Sequence, residues 1–232
     1  MTPHDLETVL VAGATGETGR EVLRLCGPRV DTVRALTRSP AAAPDREAIG
    51  ADEVAVDDLL EPDDLAAVVD GVDAVVSAVG TAAAAVRSGP PYVDGAGTRA
   101  LVAAAADAEV DAFVMESAIG VGPEPASRLA RAFDAVIGPV QAAKAEAEDA
   151  LRDAPICHTI VRPGVLTNGR RTDLVTAAEP GSKLWGTISR ADVARLLVAA
   201  PVTEGAHDRT FEAVSTPRFP DRDAGVDWTM PR

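Results

Sequence analysis

The stretch "TVLVAGATGETGREVL", Thr8 to Leu23, decides the fold. Its first half is a short apolar run rich in β-branched residues, Val9–Ala12, which reads as a buried strand. Three glycines then follow in the spacing G-x-x-G-x-x-G: Gly13, Gly16 and Gly19. Beyond them Gly19, Val22, Leu23 and Cys26 recur at the i, i+3, i+4 spacing of one buried helix face. Strand, glycine turn and helix starting near Glu17 make the opening unit of an α/β chain.

Working outward, the same alternation continues. Thr32–Leu36, Glu53–Val56, Ala74–Ala78, Ala112–Met115 and His158–Val161 are strand-like. Leu65, Val68 and Val69, then Leu101, Val102 and Ala105, carry helical spacing between them. Near-continuous apolar strands separated by helices imply a parallel sheet covered on both faces. In "YVDGAGTRALVAAAA", Asp94 is placed to cap the fourth helix. After Pro163 the pattern loosens, and "GVLTNGRRTDLVTAAEPGSKLWG" is expected to form loops over the carboxyl edge of the sheet. A helix with Val193, Leu196, Leu197 and Ala200 on one face follows, then a last strand near Thr210–Val214. The proline-rich tail from Ser215 is expected to wrap the surface, with Trp228 as an anchor. No linker interrupts the 232 residues, so one domain is expected.

The glycine turn points to chemistry. Gly13 permits the tight turn, Gly16 lets backbone approach a pyrophosphate, and Gly19 lets helix and strand pack closely. The helix start offers unpaired N–H groups and a positive dipole end. Gly13, Thr15, Gly16, Glu17, Thr18 and Gly19 are therefore the expected dinucleotide contacts. An ordinary glycine-rich turn is the plainer alternative.

The choice of dinucleotide is made at the end of the second strand. An NAD site needs a carboxylate there for the ribose hydroxyls. "VRALTRSP" offers Thr37 and Arg38 instead, and a guanidinium can hold a 2′-phosphate bidentately. NADP is thus expected over NAD. "VAVDDLLEP" ends the third strand, where Asp58 is expected at the adenine amino group with Leu59 beside it. "SAVG" ends the fourth with small residues, Ala78, Val79 and Gly80, where coenzyme must pass closely over backbone.

Composition limits the partners. The chain carries 36 acidic and 22 basic residues, a net charge of −14, and its lysines are Lys144 and Lys183 alone. Such a surface repels nucleic acid and anionic membranes. An acidic, lysine-poor chain matches a salt-adapted cytoplasmic protein, where salt screens self-repulsion; an ordinary acidic protein is the blander reading. No apolar run reaches about 18 residues and the amino end has no secretory pattern. Cys26 and Cys157 read as buried free thiols. His4, His158 and His207 lack ligand spacing, so no metal is expected.

The stretches "GATGETG", "LTR", "DDL", "DAVVSAVG", "FVMESAIGVG", "AAKAEAEDALRDAPICHTIVRPGVL" and "ISRADVARLL" together resemble the atypical short-chain dehydrogenase/reductases, in their NAD(P)H-binding, NmrA-like group. The likeness spans roughly residues 8 to 200. It implies a Rossmann-type doubly wound parallel sheet with a small C-terminal substrate lobe, formed by about residues 164–190 and the tail. It implies an activity among flavin and biliverdin reductases, epimerases and dehydratases of sugar nucleotides, or sensors without turnover. On the family pattern Ser117 matches the active-site serine and Lys144 the lysine of a Tyr-x-x-x-Lys helix. The tyrosine is absent: Val140 stands in its place.

That departure shapes the mechanism. A tyrosine ordinarily relays the proton while the lysine lowers its pKa. Ser117 can still donate to a carbonyl oxygen as it becomes negative, or simply satisfy the strand end. If Pro139 begins its helix, Val140, Lys144, Ala147 and Leu151 share an inward stripe, placing Lys144 at the coenzyme ribose or as a snorkelling stem. Tyr92, in "SGPPYVDG", is a substitute proton donor or a packing anchor. Pro163 and Leu166 are expected to face the nicotinamide. Arg170 and Arg171 can hold an anionic substrate, though solvated loop arginines are common. Glu116 is predicted buried without a physical reason.

The reading is an NADPH-dependent oxidoreductase acting on a small or planar acceptor: a flavin, quinone or carbonyl compound. An NADP-binding sensor or accessory subunit is the alternative. A nucleotide-sugar epimerase or dehydratase is weaker, because those reactions call on the tyrosine as base.

Overall fold

The computed structural model describes residues 6–81, 86, 89–122 and 130–231. Its first strand, β1 (Thr8–Ala12), runs into α1 (Glu17–Cys26), as the opening stretch predicts. Next come β2 (Thr32–Thr37), the short α2 (Ala43–Glu47), β3 (Glu53–Val56), α3 (Leu65–Val69) and β4 (Ala74–Ser77). A wide turn at Val93–Gly97 leads into α4 (Thr98–Asp107), followed by β5 (Ala112–Glu116), α5 (Ala130–Asp153) and β6 (Cys157–Pro163). The chain continues through β7 (Val165–Thr167), β8 (Thr176–Ala178), β9 (Thr187–Ser189), α6 (Arg190–Ala199) and β10 (Arg209–Val214).

Eight strands form one sheet in the order β3-β2-β1-β4-β5-β6-β10-β8. Neighbours pair parallel except β10 with β8, which run antiparallel. The order reverses between β1 and β4, and in open sheets of this type ligands bind at the carboxyl ends of the strands flanking that reversal. Alternation in the strands divides the core. Val9, Val11, Val76 and Val114 face α1 and α6, while Leu10, Val75, Phe113 and Met115 face α3, α4 and α5.

Three sequence expectations change here. The stretch after Pro163 is not loop alone: β7 and β9 pair parallel as a second small sheet, with Leu166 opposite Ile188, and β8 adds to the main sheet. Strands of three residues carry too little alternation to announce themselves. Pro139 lies inside α5 and does not start it. A proline within a helix costs about 3 kcal/mol; burial of Ala147, Glu148 and Leu151 and the bonds of Lys144 hold the half beyond it. Asp94 does not cap its helix. Tyr92 occupies the cap position with no side-chain bond, and Asp94 lies within the first turn, 1% exposed.

Trp228 does anchor the tail, edge-on to Phe211 with ring centroids 5.1 Å apart. Cys26 is buried, which pushes its thiol up to about 12, whereas Cys157 is only half-buried. No helix of the described residues is long and apolar enough to cross a membrane. His4 lies outside the described residues; His158 contacts Asp208 and His207 the Pro201 carbonyl. No cluster of three His, Cys, Asp or Glu placed to hold a metal occurs among the described residues.

Candidate coenzyme and active site

A cleft of about 430 Å³ opens at the reversal of strand order. Gly13, Thr15 and Gly16 form its floor. Thr37 and Arg38 close the β2 end, Asp57 and Leu59 the β3 end, and Ala78, Val79, Gly80 and Thr81 the β4 end. Tyr92, 8% exposed, adds a wall from the turn before α4.

The glycines act as their spacing predicts. Gly13 has φ +77°, and a Cβ there would overlap the carbonyl of Ala78. A Cβ on Gly19 would overlap the Gly13 carbonyl, so α1 can sit this close to the turn only without a side chain at that position. Gly16 donates its N–H to Gly13 O at 2.9 Å and caps α1 without any side-chain bond. The first N–H groups of α1 therefore have no side-chain acceptor, the condition that suits a bound phosphate. The Thr81 hydroxyl is buried at the cleft with no partner among the described residues. A glycine cradle, an uncapped helix start and an orphaned hydroxyl fit a dinucleotide.

Beneath the loop, Arg46 is buried and donates from Nη1 to Ala14 O at 2.6 Å. Burial, and then Arg20 nearby, hold its pKa below the ordinary value. It fixes the turn from behind. Arg38 is exposed on the cleft rim with no protein partner among the described residues. Of the two aspartates after β3, the cleft takes Asp57. Its carboxylate accepts N–H bonds from Asp58, Asp63 and Asp64 at 2.7–3.1 Å. Asp58 turns aside, accepting from Leu60 N at 3.0 Å.

Lys144 is held inward rather than snorkelling to solvent. Its Nζ stands 2.7 Å from Asp94 Oδ1, an ion pair outside hydrogen-bonding angles, and 3.4 Å from Glu116 O. The other oxygen of Asp94 accepts from Thr81 N at 2.7 Å, so one carboxylate joins the cleft wall to the lysine. Sequence reasoning made Asp94 a helix cap, whereas its carboxylate lies between Thr81 and Lys144.

Ser117 is committed elsewhere. Its hydroxyl, 4% exposed, donates to Glu148 Oε1 at 2.5 Å. Arg162 holds the same carboxylate with two bonds, Nε to Oε1 at 2.9 Å and Nη2 to Oε2 at 2.5 Å, and Arg152 adds a third at 2.6 Å. Burial pushes Glu148 up, but the Arg162 and Ser117 hydrogen bonds outweigh it and hold the carboxyl below its ordinary value. Glu116, on the other face of β5, accepts from Thr18 Oγ1 at 3.2 Å. Burial pushes its pKa up to about 7 against the pull of Lys144.

Pro163 is buried at the end of β6, and the half-buried Leu166 packs against the core under α1 and α6. Neither lines the cleft. Alternation leaves Val165, 67% exposed, as the outward residue of that turn. Glu17 points its carboxylate away from the cleft to Asn168 Nδ2 at 2.9 Å and Arg190 Nη2 at 3.1 Å.

The fold and the cleft define a Rossmann-type nucleotide-binding protein. The family model described as NAD(P)H-binding matches residues 13–203, and the chain belongs to that family. It is 29% identical over 205 residues to an uncharacterized sugar epimerase, YhfK, of Bacillus subtilis, covering 88% of this chain and 92% of the relative. It is 27% identical over 220 residues to the NAD(P)H azoreductase of Xenophilus azovorans, covering 90% and 68%. A Bacillus halodurans structure named as an NAD-dependent epimerase/dehydratase superposes with a TM-score of 0.76 at 26% identity, covering 91% of this chain and 95% of that one. The chain is thus an NAD(P)H-binding protein of the atypical short-chain dehydrogenase/reductase type.

Proposed function

We propose that the protein is an NADPH-dependent reductase whose acceptor is small or planar and takes its proton from water. Arg38 carries the coenzyme assignment: it is a guanidinium with no protein partner among the described residues, at the β2 end where an NAD site needs a carboxylate. When bound, the reduced nicotinamide supplies the hydride. The first N–H groups of α1 hold the pyrophosphate, Thr81 adds a hydroxyl, and Lys144, oriented by Asp94, reaches the ribose hydroxyls.

The arrangement of the proton donors favours such an acceptor. Val140 replaces the relay tyrosine, and the Ser117 hydroxyl is already donated to Glu148. Flavin-like and azo acceptors draw their proton from solvent, and one relative is named an NAD(P)H azoreductase. An epimerase reading fits less well, since no tyrosine base precedes Lys144. The same absence favours one second reading, a coenzyme sensor without turnover.

Titration with NADPH and NADH, in wild type and Arg38→Ala, tests the coenzyme. The expected result is NADPH bound more tightly, with about tenfold to a hundredfold of that preference lost on removing the guanidinium, the loss of a charge-assisted fork. Equal affinities for both coenzymes overturn the NADP assignment. Turnover is then read with flavins, quinones and azo compounds. NADPH bound tightly but never consumed establishes the sensor instead. Tyr92→Phe separates its two roles, with unchanged turnover leaving Tyr92 as a wall.

A further inference from the structure

A second cleft, of about 630 Å³, lies between the outer face of α1 and the lobe, and its lining shares no residue with the coenzyme cleft. Six arginines line it: Arg20 and Arg24 from α1, Arg170 and Arg171 from the loop after β7, Arg190 and Arg195 from α6. Only two carboxylates, Glu17 and Glu21, share the lining, with Asp173 behind. In a chain of net charge −14, this is a strong local inversion of sign.

The walls are fixed in place. Asp192, fully buried, accepts from Thr172 N at 2.9 Å, Thr172 Oγ1 at 2.7 Å and Ser189 Oγ at 2.8 Å, tying the arginine loop to the start of α6. Arg190 is held by Asn168 Oδ1 at 2.5 Å and by Glu17. Arg195 is held by Asp173 and by Pro231 O. Arg20 and Arg170 are different. They come from the two walls, and neither has a side-chain partner among the described residues.

Unpaired planar forks in a positive cleft suit an oxyanion that accepts bidentate bonds. A halide or a lone carboxylate would use one fork and leave the other. A group with two or more phosphoryl oxygens facing different ways uses both. We infer that this cleft is a second anion site, built for the phosphate groups of a small molecule, with Arg20 and Arg170 as its grips. The site stands apart from the coenzyme reading, because none of these arginines lines the coenzyme cleft. A free effector and the acceptor itself are the two sources of such a phosphate, and they share this chemistry.

Inorganic pyrophosphate is the probe, titrated by calorimetry at ionic strength fixed with potassium chloride. Runs with and without saturating NADPH separate this cleft from the coenzyme pocket. Wild type is expected to bind pyrophosphate with NADPH present. The double variant Arg20→Ala/Arg170→Ala is expected to bind it about tenfold more weakly, with its NADPH affinity unchanged. Binding no stronger than that of chloride, or equal affinity in wild type and variant, overturns the proposal. If NADPH itself does not bind, the coenzyme reading fails while the comparison of wild type and variant still decides this one. Comparing riboflavin with its phosphorylated form identifies the source. Preference for the phosphorylated flavin that disappears in the double variant assigns the anion to the acceptor, and no preference assigns it to a separate effector.

Discussion

Lys144 Nζ and Asp94 Oδ1 stand 2.7 Å apart, with 12% and 1% of their side chains exposed. The pair joins α5 to the turn before α4, and Asp94 passes the connection on to Thr81 at the cleft wall. Where the family helix would set a tyrosine four residues before its lysine, this chain has Val140. The lysine is oriented by a carboxylate from another element.

Removing one member of that pair strands the other's charge. Asp94→Ala is expected to cost about 3 kcal/mol, lowering the unfolding midpoint by roughly 6–10 °C, and to weaken NADPH binding. Replacing both, as Asp94→Leu/Lys144→Met, is expected to recover most of the stability but none of the coenzyme affinity. Thermal unfolding and NADPH titration on the three proteins check this. Additive losses in stability would show that the pair is not coupled.

Glu116 sets a pH dependence. Its pKa rises from the ordinary 4.5 to about 7, mainly through burial. The folded state therefore holds its proton more tightly than the unfolded chain. Ionisation opposes folding above about pH 4.5, and the penalty grows until about pH 7 and is constant beyond. Glu116→Gln keeps an acceptor for Thr18 and removes the charge. It is expected to stabilise the protein by on the order of 3 kcal/mol at pH 8, with no gain at pH 4. Urea unfolding at both pH values measures it, and a gain independent of pH would refute the assignment.

The sequence carried what is local. β1, the glycine turn and the start of α1 at Glu17 were legible because periodicity and glycine placement are decided within a few residues. So were the parallel strands, whose apolar runs follow from burial on both faces. Asp94 was misread because an aspartate before a helix is locally a cap, and only the fold brings Lys144 to it. The Ser117–Glu148–Arg162 knot was invisible for the same reason. Leu166, expected at the nicotinamide, packs against the core instead, because a strand as short as β7 does not fix its own facing.

Ser117 gives a prediction opposed to its family role. Its hydroxyl donates to a carboxylate already gripped by Arg162 and Arg152. Ser117→Ala is expected to cost about 1.5–3 kcal/mol of stability, the range for a hydrogen bond to a charged group. NADPH affinity and acceptor turnover are expected to stay within about twofold of wild type. Steady-state kinetics beside urea unfolding decide it. A drop of several orders of magnitude in turnover at unchanged stability would return Ser117 to the chemistry.

Gly19 tests the seat of the coenzyme loop itself. A methyl group there meets the Gly13 carbonyl and the Ala14 Cα, both backbone atoms that no side-chain rotation can move. Either α1 must withdraw from the turn or the turn must open. In both cases the first N–H groups of the helix leave the line along which Gly13 and Gly16 direct them. Gly19→Ala is therefore expected to abolish measurable coenzyme binding and to lower stability by about 1–3 kcal/mol, as overpacking does. Gly71→Ala is the control. Gly71, unlike the helical Gly19, has a positive φ, +67°, and its Cβ would meet nothing within 4 Å, so alanine there brings backbone strain without crowding the loop. Coenzyme binding lost in Gly19→Ala and kept in Gly71→Ala places the requirement at the loop's packing, and binding kept in both would mean that the loop is not the coenzyme's seat.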